Sequence, residues 1–272
     1  MFLLDCHNHT NNSLDAKAKL DEMCDAAVAK GFGVYCITEH YDCEFEERDT
    51  CMGIIKNCYA QIDAYKATHN TGSTKILKGI ELGQPLQDEG QAKRVLDAYR
   101  DQMDFVIGSL HNVSGMPDFY FFDYVGKGTA GVEAVMETYY QELYEMSKVG
   151  GFDTVGHITY PYRYALKRGV PVDLSKFDDI VAAMMKNLIH NGIAMEINTS
   201  GYRQGLDETM PGRYHMKMYR DLGGEMLTIG SDAHTIEDHG KNITDGLMLA
   251  KEMGFEYITY FEKRKPVMVK ID

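Results

Sequence analysis

Seven short apolar runs punctuate the chain: residues 2–6 (FLLDC), 34–38 (VYCIT), 75–80 (KILKGI), 105–110 (FVIGSL), 153–158 (DTVGHI), 193–197 (IAMEI) and 226–230 (MLTIG). Each is brief and mostly β-branched or bulky, the pattern of a strand buried on both faces in a parallel sheet. Between the runs the period becomes helical. Leu20, Met23, Cys24, Ala27 and Val28 share one helical face, and Gly31 follows as a stop. Ile180, Val181, Met184, Met185 and Leu188 repeat that pattern, with Ser175 as the expected N-cap and Gly192 as the stop. The segment 239–253 ends in the same way at Gly254. Strand and helix alternating about seven times predict a parallel sheet with right-handed crossovers, and that many units close most naturally into an α/β barrel. The tail FEYITYFEKRKPVMVKID reads as one more strand and a short terminal hairpin. Three stretches after strands, 41–53, 112–131 and 201–213, read as long loops, and such lengths in a compact domain usually accompany function.

Composition narrows the picture. The 272 residues, 44% of them apolar, suit one barrel domain spanning 1–272, and no repeat or Pro/Gly/Ser-rich linker divides them. A formal charge of −13 disfavours binding to nucleic acid, which needs a basic surface. No run approaches the ~20 apolar residues of a membrane span. The start MFLLDCHNH lacks the basic flank of a signal peptide, so a cytoplasmic location is expected. Cys6, Cys24, Cys36, Cys43, Cys51 and Cys58 all fall in the first quarter with no C-x-x-C pair. They read as reduced thiols, the alternative being a metal or redox role for Cys43, Cys51 and Cys58.

The histidines change the picture most. Of ten, His7 and His9 lie just beyond the first apolar run, and His40, His111, His157 and His234 close or follow later ones. Glu81 and Asp232 share that placement. In a parallel barrel the carboxyl ends of all strands meet at one face, where active sites are built. Alternate side chains on an extended strand share a face, so Asp5, His7 and His9 point together and Cys6 points away. Asp232 and His234 pair in the same way. A single histidine at a strand end is usually structural, but six of them with two acids converge on a metal site. Imidazole and carboxylate together suit Zn, Mn or Fe rather than a thiolate site. His69, His190, His215 and His239 fall in or beside helical stretches and read as surface residues.

At these residues the chain resembles the PHP family, named for polymerase and histidinol phosphatase. The motifs are D-x-H-x-H, T-E-H, G-I-E, S-x-H, G-H, E-I-N-T-S-G and S-D-A-H, in that order and nearly end to end. The resemblance implies a distorted TIM-like (β/α)7 barrel with three divalent metal ions. It implies that His7, His9, Glu81 and Asp232 hold one ion, and that Glu81 bridges to a second held by His111 and His157. Asp15, His40 and His234 would hold the third. Asp15 stands where some members have histidine; its other reading is an acid at a helix N-terminus. GHITYPYR and EINTSGYR look most like the monofunctional histidinol-phosphate phosphatases of histidine biosynthesis, which makes Arg163 and Arg203 the expected phosphate grips. Tyr160-Pro161-Tyr162 departs from that pattern.

The expected chemistry is hydrolysis of a phosphate monoester. A water between two bridged ions, held at Glu81 and Asp232, would lose its proton near neutrality and attack phosphorus in line. Arginine forks would neutralise the phosphate oxygens. Asp5 and Glu196 are candidates for orienting imidazoles, or are simply buried acids satisfied by other groups. Acids in 41–53 and aromatics in 112–131 suit a substrate carrying an ammonium and an imidazole. The rival readings are a phosphatase for another small phosphate, such as a nucleotide or sugar phosphate, and a non-catalytic metal-binding protein on the same barrel.

Overall fold

The computed structural model describes residues 1–44 and 48–272. Its strands are β1 (Leu4–Asp5), β2 (Val34–Asp42), β3 (Lys75–Gly83), β4 (Phe105–Ser109), β5 (Thr154–Val155), β6 (Ala194–Asn198) and β7 (Leu227–Gly230). They run in chain order through one sheet, and every neighbouring pair is parallel. β7 returns to β1: the Cys6 N–H donates to the Ile229 carbonyl at 2.8 Å, and the His9 N–H to the Ala233 carbonyl at 2.9 Å. The result is a nearly closed seven-stranded barrel, as the alternation of periods predicts. β1 and β5 are shorter than the runs 2–6 and 153–158. His7 and His157 lie on the segments that leave those two ladders.

Nine helices occur among the described residues: α1 (Leu20–Ala29), α2 (Arg48–Thr68), α3 (Glu89–Ala98), α4 (Tyr124–Val149), α5 (Tyr160–Lys167), α6 (Asp178–Asn191), α7 (Ser200–Arg203), α8 (Arg213–Asp221) and α9 (Ile243–Glu252). Apolar spacing sets which face each one buries. Leu20, Met23, Cys24 and Ala27 of α1, and Val181, Met184, Met185 and Leu188 of α6, are buried as their spacing requires. Gly192 ends α6 in the left-handed conformation that an L side chain resists (φ 66°). Ser175 is not the N-cap. A 3₁₀ turn over Leu174–Phe177 runs straight into α6, and the Asp173 carboxylate accepts the Ser175 N–H at 3.0 Å. A carboxylate two residues earlier satisfies the first orphan donor, so the serine hydroxyl has no capping work to do.

The three expected loops shrink for the same local reason. β2 runs on to Asp42, and α2 takes up 48–53; residues 45–47 lie outside the described residues. Within 112–131, Asp118 caps a 3₁₀ turn (Phe119–Phe121), and Asp123 starts α4 by accepting the Gly126 N–H. In 201–213, α7 and α8 take the two ends, and Met210 bridges to Asn198. The tail adds no barrel strand. β8 (Tyr257–Glu262) and β9 (Lys265–Lys270) form a separate antiparallel hairpin. It latches at the amino ends of β4 and β5, where Arg264 Nε donates to Asp153 at 2.5 Å and the Lys263 N–H to Asp104 at 3.0 Å.

His69 and His190 are exposed as expected, but His215 and His239 are each only 1% exposed. His239 packs its ring on Tyr35, and its carbonyl accepts from Lys30 Nζ at 2.7 Å. His215 sits on the buried face of α8 beside Met216 and Tyr219. Burial pushes the His215 pKa down to about 4. The fold therefore holds the neutral ring. Its contribution is complete above the unfolded value of about 6.5 and is lost as pH falls toward 4, because the unfolded chain binds more protons. His215→Leu removes this titration. Urea unfolding at a series of pH values should show wild type losing up to about 3 kcal/mol relative to the variant between pH 6.5 and 4.

All six cysteines are free thiols, five of them buried, as the reduced reading requires. No helix among the described residues is long and apolar enough to cross a membrane.

Candidate metal centre

The ladder register brings the first donors together. His40 on β2 is the direct partner of Glu81 on β3. Five imidazoles surround the buried Glu81 carboxylate. Its Oε2 lies 3.2 Å from His7 Nε2, 3.4 Å from His9 Nε2 and 3.0 Å from His40 Nδ1. Its Oε1 lies 3.1 Å from His111 Nε2 and 2.9 Å from His157 Nε2. Asp232 closes one side, with Oδ1 at 3.8 Å from His7 Nε2 and 3.6 Å from His9 Nε2. At the rim, Asp15 Oδ2 stands 3.1 Å from His234 Nε2 and 3.6 Å from His40 Nε2. Asp15 precedes α1 by several residues, so its helix-terminus reading is set aside. All nine predicted donors meet at one face.

Several donor sets could each hold one ion: His7, His9 and Asp232; His7, Glu81 and His157; His40, Glu81 and His111; and His9, His40 and His234. This grouping overlaps the partition expected from the motifs but shares residues more freely. His9 faces the His40–His234 side as well as His7, and His40 stands between Glu81 and Asp15.

The hydrogen bonds around the donors fix which nitrogen is free. His7 Nδ1 lies 2.6 Å from Glu196 Oε1, His111 Nδ1 3.2 Å from Asp42 Oδ1, and His234 Nδ1 3.0 Å from the Asp232 carbonyl. Each acceptor assigns the proton to Nδ1, so each Nε2 carries a lone pair. Those lone pairs face carboxylate oxygens 3.1–3.2 Å away. Lone pair against lone pair is repulsive unless a cation or a proton lies between them. Without a cation the site compensates with protons. Burial opposes charge on His7, but Glu196, Glu81 and Asp232 outweigh it and hold its pKa well above the ordinary value. Burial and the neighbouring His40 and His234 push His9 the other way. Neutral imidazoles and carboxylates converging at these separations are what a divalent transition ion requires.

The supporting residues come from distant parts of the chain. Glu196 also accepts the His157 backbone N–H at 2.8 Å, so it braces the His7 ring and the backbone that carries His157. Asp5 touches no imidazole ring; it accepts the Ser231 N–H at 2.8 Å and the Ser231 hydroxyl at 2.6 Å, which ties β1 to the loop that carries Asp232. Asp232 has a left-handed backbone (φ 54°), a conformation that aspartate tolerates better than most residues. Arg203 holds the same loop: Nη1 donates to the Ser231 carbonyl at 2.7 Å and Nη2 to the Asp232 carbonyl at 2.6 Å. Glu39 points away from His40 and accepts from Thr10 and Ser13, pinning the segment that leads to Asp15. Asp42 has room only because Gly83, its ladder partner, lacks a side chain; a Cβ there would lie 1.9 Å from Asp42 Oδ1. Sequence reasoning missed Asp42 and Glu39. Glu39 was inside the T-E-H motif, and strand alternation alone would have given it the opposite face.

A cavity of about 720 Å³ opens above the cluster, lined by Asp15, Glu81, Arg163, Arg203, Glu44 and Phe121 among others. Arg163 is 9% exposed. It stacks on Tyr160 (4.0 Å) and Tyr164 (4.6 Å) and donates to the Tyr164 hydroxyl at 2.7 Å, while its Nε has no hydrogen-bond partner among the described residues. The aromatic departure at Tyr160 therefore seats this arginine. Tyr120 and Phe121 stand exposed at the mouth, where the aromatic segment was expected.

The model of the PHP domain matches residues 5–200. A protein of Clostridium acetobutylicum described as a probable histidinol-phosphatase is 28% identical over 265 residues, covering 96% of this chain and 98% of its own. The histidinol-phosphatase of Lactococcus lactis is 24% identical, covering 96% and 95%. The crystal structure of histidinol phosphate phosphatase from Lactococcus lactis, complexed with zinc, L-histidinol and phosphate, superposes with a TM-score of 0.78 at 21% identity. It covers 97% of this chain and 98% of its own.

Proposed function

The chain belongs to the PHP domain family, and from that premise we propose that it is a metal-dependent phosphatase converting L-histidinol phosphate to L-histidinol and phosphate. The single observation that carries the metal part is the convergence of five imidazole nitrogens on the Glu81 carboxylate. The names of its full-length relatives supply the substrate. Three ions of Zn, Mn or Fe are proposed, held by His7, His9, Asp15, His40, Glu81, His111, His157, Asp232 and His234. When bound, such ions supply Lewis acidity and lower the pKa of water toward neutrality.

The chain's own residues do the rest. Glu196, Asp42 and the Asp232 carbonyl keep a proton on Nδ1 of His7, His111 and His234, so that each presents Nε2 to the site. Arg163 is a nearly buried guanidinium whose contacts are aromatic and phenolic, which leaves its charge available to a phosphate. Arg203 is proposed as the second grip. Each of its terminal nitrogens gives one N–H to a backbone carbonyl and keeps one for a phosphate oxygen. It thereby ties the phosphate to the loop that holds Asp232.

Phosphate release from L-histidinol phosphate, beside nucleotide and sugar phosphates, tests the reading. Chelation should abolish turnover, and Mn or Zn should restore it. Arg163→Leu should cost about 100-fold in kcat/KM with metal content unchanged, since hydrogen bonds to a charged group contribute about 1.5–3 kcal/mol each. Better turnover of another phosphate would sink the substrate assignment and leave the metal chemistry standing.

A further inference from the structure

Glu44 is held with unusual care for a residue at the edge of a cavity. Its Oε1 accepts from Gln84 Nε2 at 2.7 Å and from Asn112 Nδ2 at 2.8 Å. Both amides are themselves fixed. Asn112 Oδ1 accepts from Gln87 Nε2 at 2.8 Å, and Gln84 Oε1 accepts the His111 backbone N–H at 3.4 Å. Gln84 is buried and adopts a left-handed backbone (φ 49°), a strained state for a long side chain that persists only where its surroundings enforce it. Two amides beyond the ends of β3 and β4, one of them braced by Gln87, thus direct one carboxylate to the wall of the metal cavity.

Among the described residues, that carboxylate forms no ion pair. Glu44 Oε2 has no hydrogen-bond partner among the described residues, and the nearby Asp42 adds a second negative charge. A half-buried carboxylate with a free oxygen costs free energy unless something cationic completes it. Arg163 and Arg203 share the cavity but are held at Tyr164 and at the Asp232 loop, and neither forms an ion pair with Glu44. Across the same mouth stand the exposed rings of Tyr120 and Phe121, whose faces also favour a cation.

We propose that Glu44, set by Gln84 and Asn112, recognises a cationic ammonium on the alcohol half of the substrate, so that the enzyme selects phosphate monoesters of amino alcohols over neutral ones. This rests on the phosphatase reading above and deepens it. Glu44 is a specificity residue and takes no part in the chemistry at phosphorus.

The test compares wild type with Glu44→Gln on two pairs of substrates and in one binding measurement. The pairs are L-histidinol phosphate against p-nitrophenyl phosphate, and 2-aminopropyl phosphate against propyl phosphate. Calorimetry with L-histidinol alone reads Glu44 even without turnover. The variant should lose about 10- to 100-fold in kcat/KM on each cationic phosphate, through KM, and less than about threefold on the neutral ones, the range expected for one hydrogen bond to a charged group. L-Histidinol binding should weaken by a similar factor. Equal losses on cationic and neutral phosphates would overturn the proposal and give Glu44 a role in supporting the metal centre. Unchanged L-histidinol binding would also overturn it, as would a wild type indifferent to the amino group. Failure of the phosphatase reading appears separately, as absent turnover of every phosphate by the metal-loaded wild type.

Discussion

Glu81→Gln should purify with a deficit of metal, and its kcat/KM should fall by about three orders of magnitude or more on any phosphate it turns over. The side chain keeps its shape, so the effect isolates charge and donor type. In wild type both carboxylate oxygens face imidazole nitrogens, with five separations between 2.9 and 3.4 Å. An amide replaces one oxygen by a donor and removes the charge that several cations would share. Ions held here would supply several kcal/mol of transition-state charge stabilisation, and each 1.36 kcal/mol is tenfold in rate. Elemental analysis together with the rates decides it. A variant with full metal content and activity within tenfold of wild type would remove Glu81 from the centre of the site.

How much of this was legible in the sequence depends on how local the signal was. His40, Glu81 and Asp232 end or follow apolar runs, so a rule about strand ends finds them. The residues that support them are not local. Glu196 meets His7, and Asp42 meets His111, only because the sheet wraps round; nothing within a few residues of either acid announces the pairing. Asp5 and Glu196 were both candidates for orienting imidazoles or for ordinary buried acids; Glu196 meets the His7 ring, and Asp5 holds Ser231 instead. His215 is different. Its spacing from Tyr219, with Met216 adjacent, marks the buried face of α8, but the polarity of RYHMKMYR hid so short an apolar stripe. The long loops were overestimated because capping acids such as Asp118 and Asp123 start helices within stretches whose glycines and aromatics read as irregular.

Gly230→Ala should remove metal, activity and stability together, although glycine 230 can hold no ion. It lies on β7 in ordinary strand conformation, so the demand is for space rather than for backbone freedom. A Cβ there would stand 2.1 Å from the Cβ of His7 and 3.0 Å from both the His7 nitrogen and Glu196 Oε1. Two of those three atoms are backbone or Cβ, which no rotamer change can move. β1 and β7 would have to part at the seam that closes the barrel, stretching the bonds from Cys6 to Ile229 and from Asp232 to His7. Overpacking of this kind costs about 1–3 kcal/mol, and here the displaced atoms also carry the His7–Glu196 contact. Since misplacement by an ångström can cost about 100-fold in rate, a loss of at least that size is expected, with reduced metal content and a lower unfolding midpoint. Gly53→Ala is the matched control. It lies inside α2 with nothing within 4 Å of the added methyl, so it should leave activity intact and raise stability by up to about 1 kcal/mol. Should Gly230→Ala behave like Gly53→Ala, the barrel seam is looser than its contacts imply, and the placement of His7 does not depend on the close approach of β1 to β7.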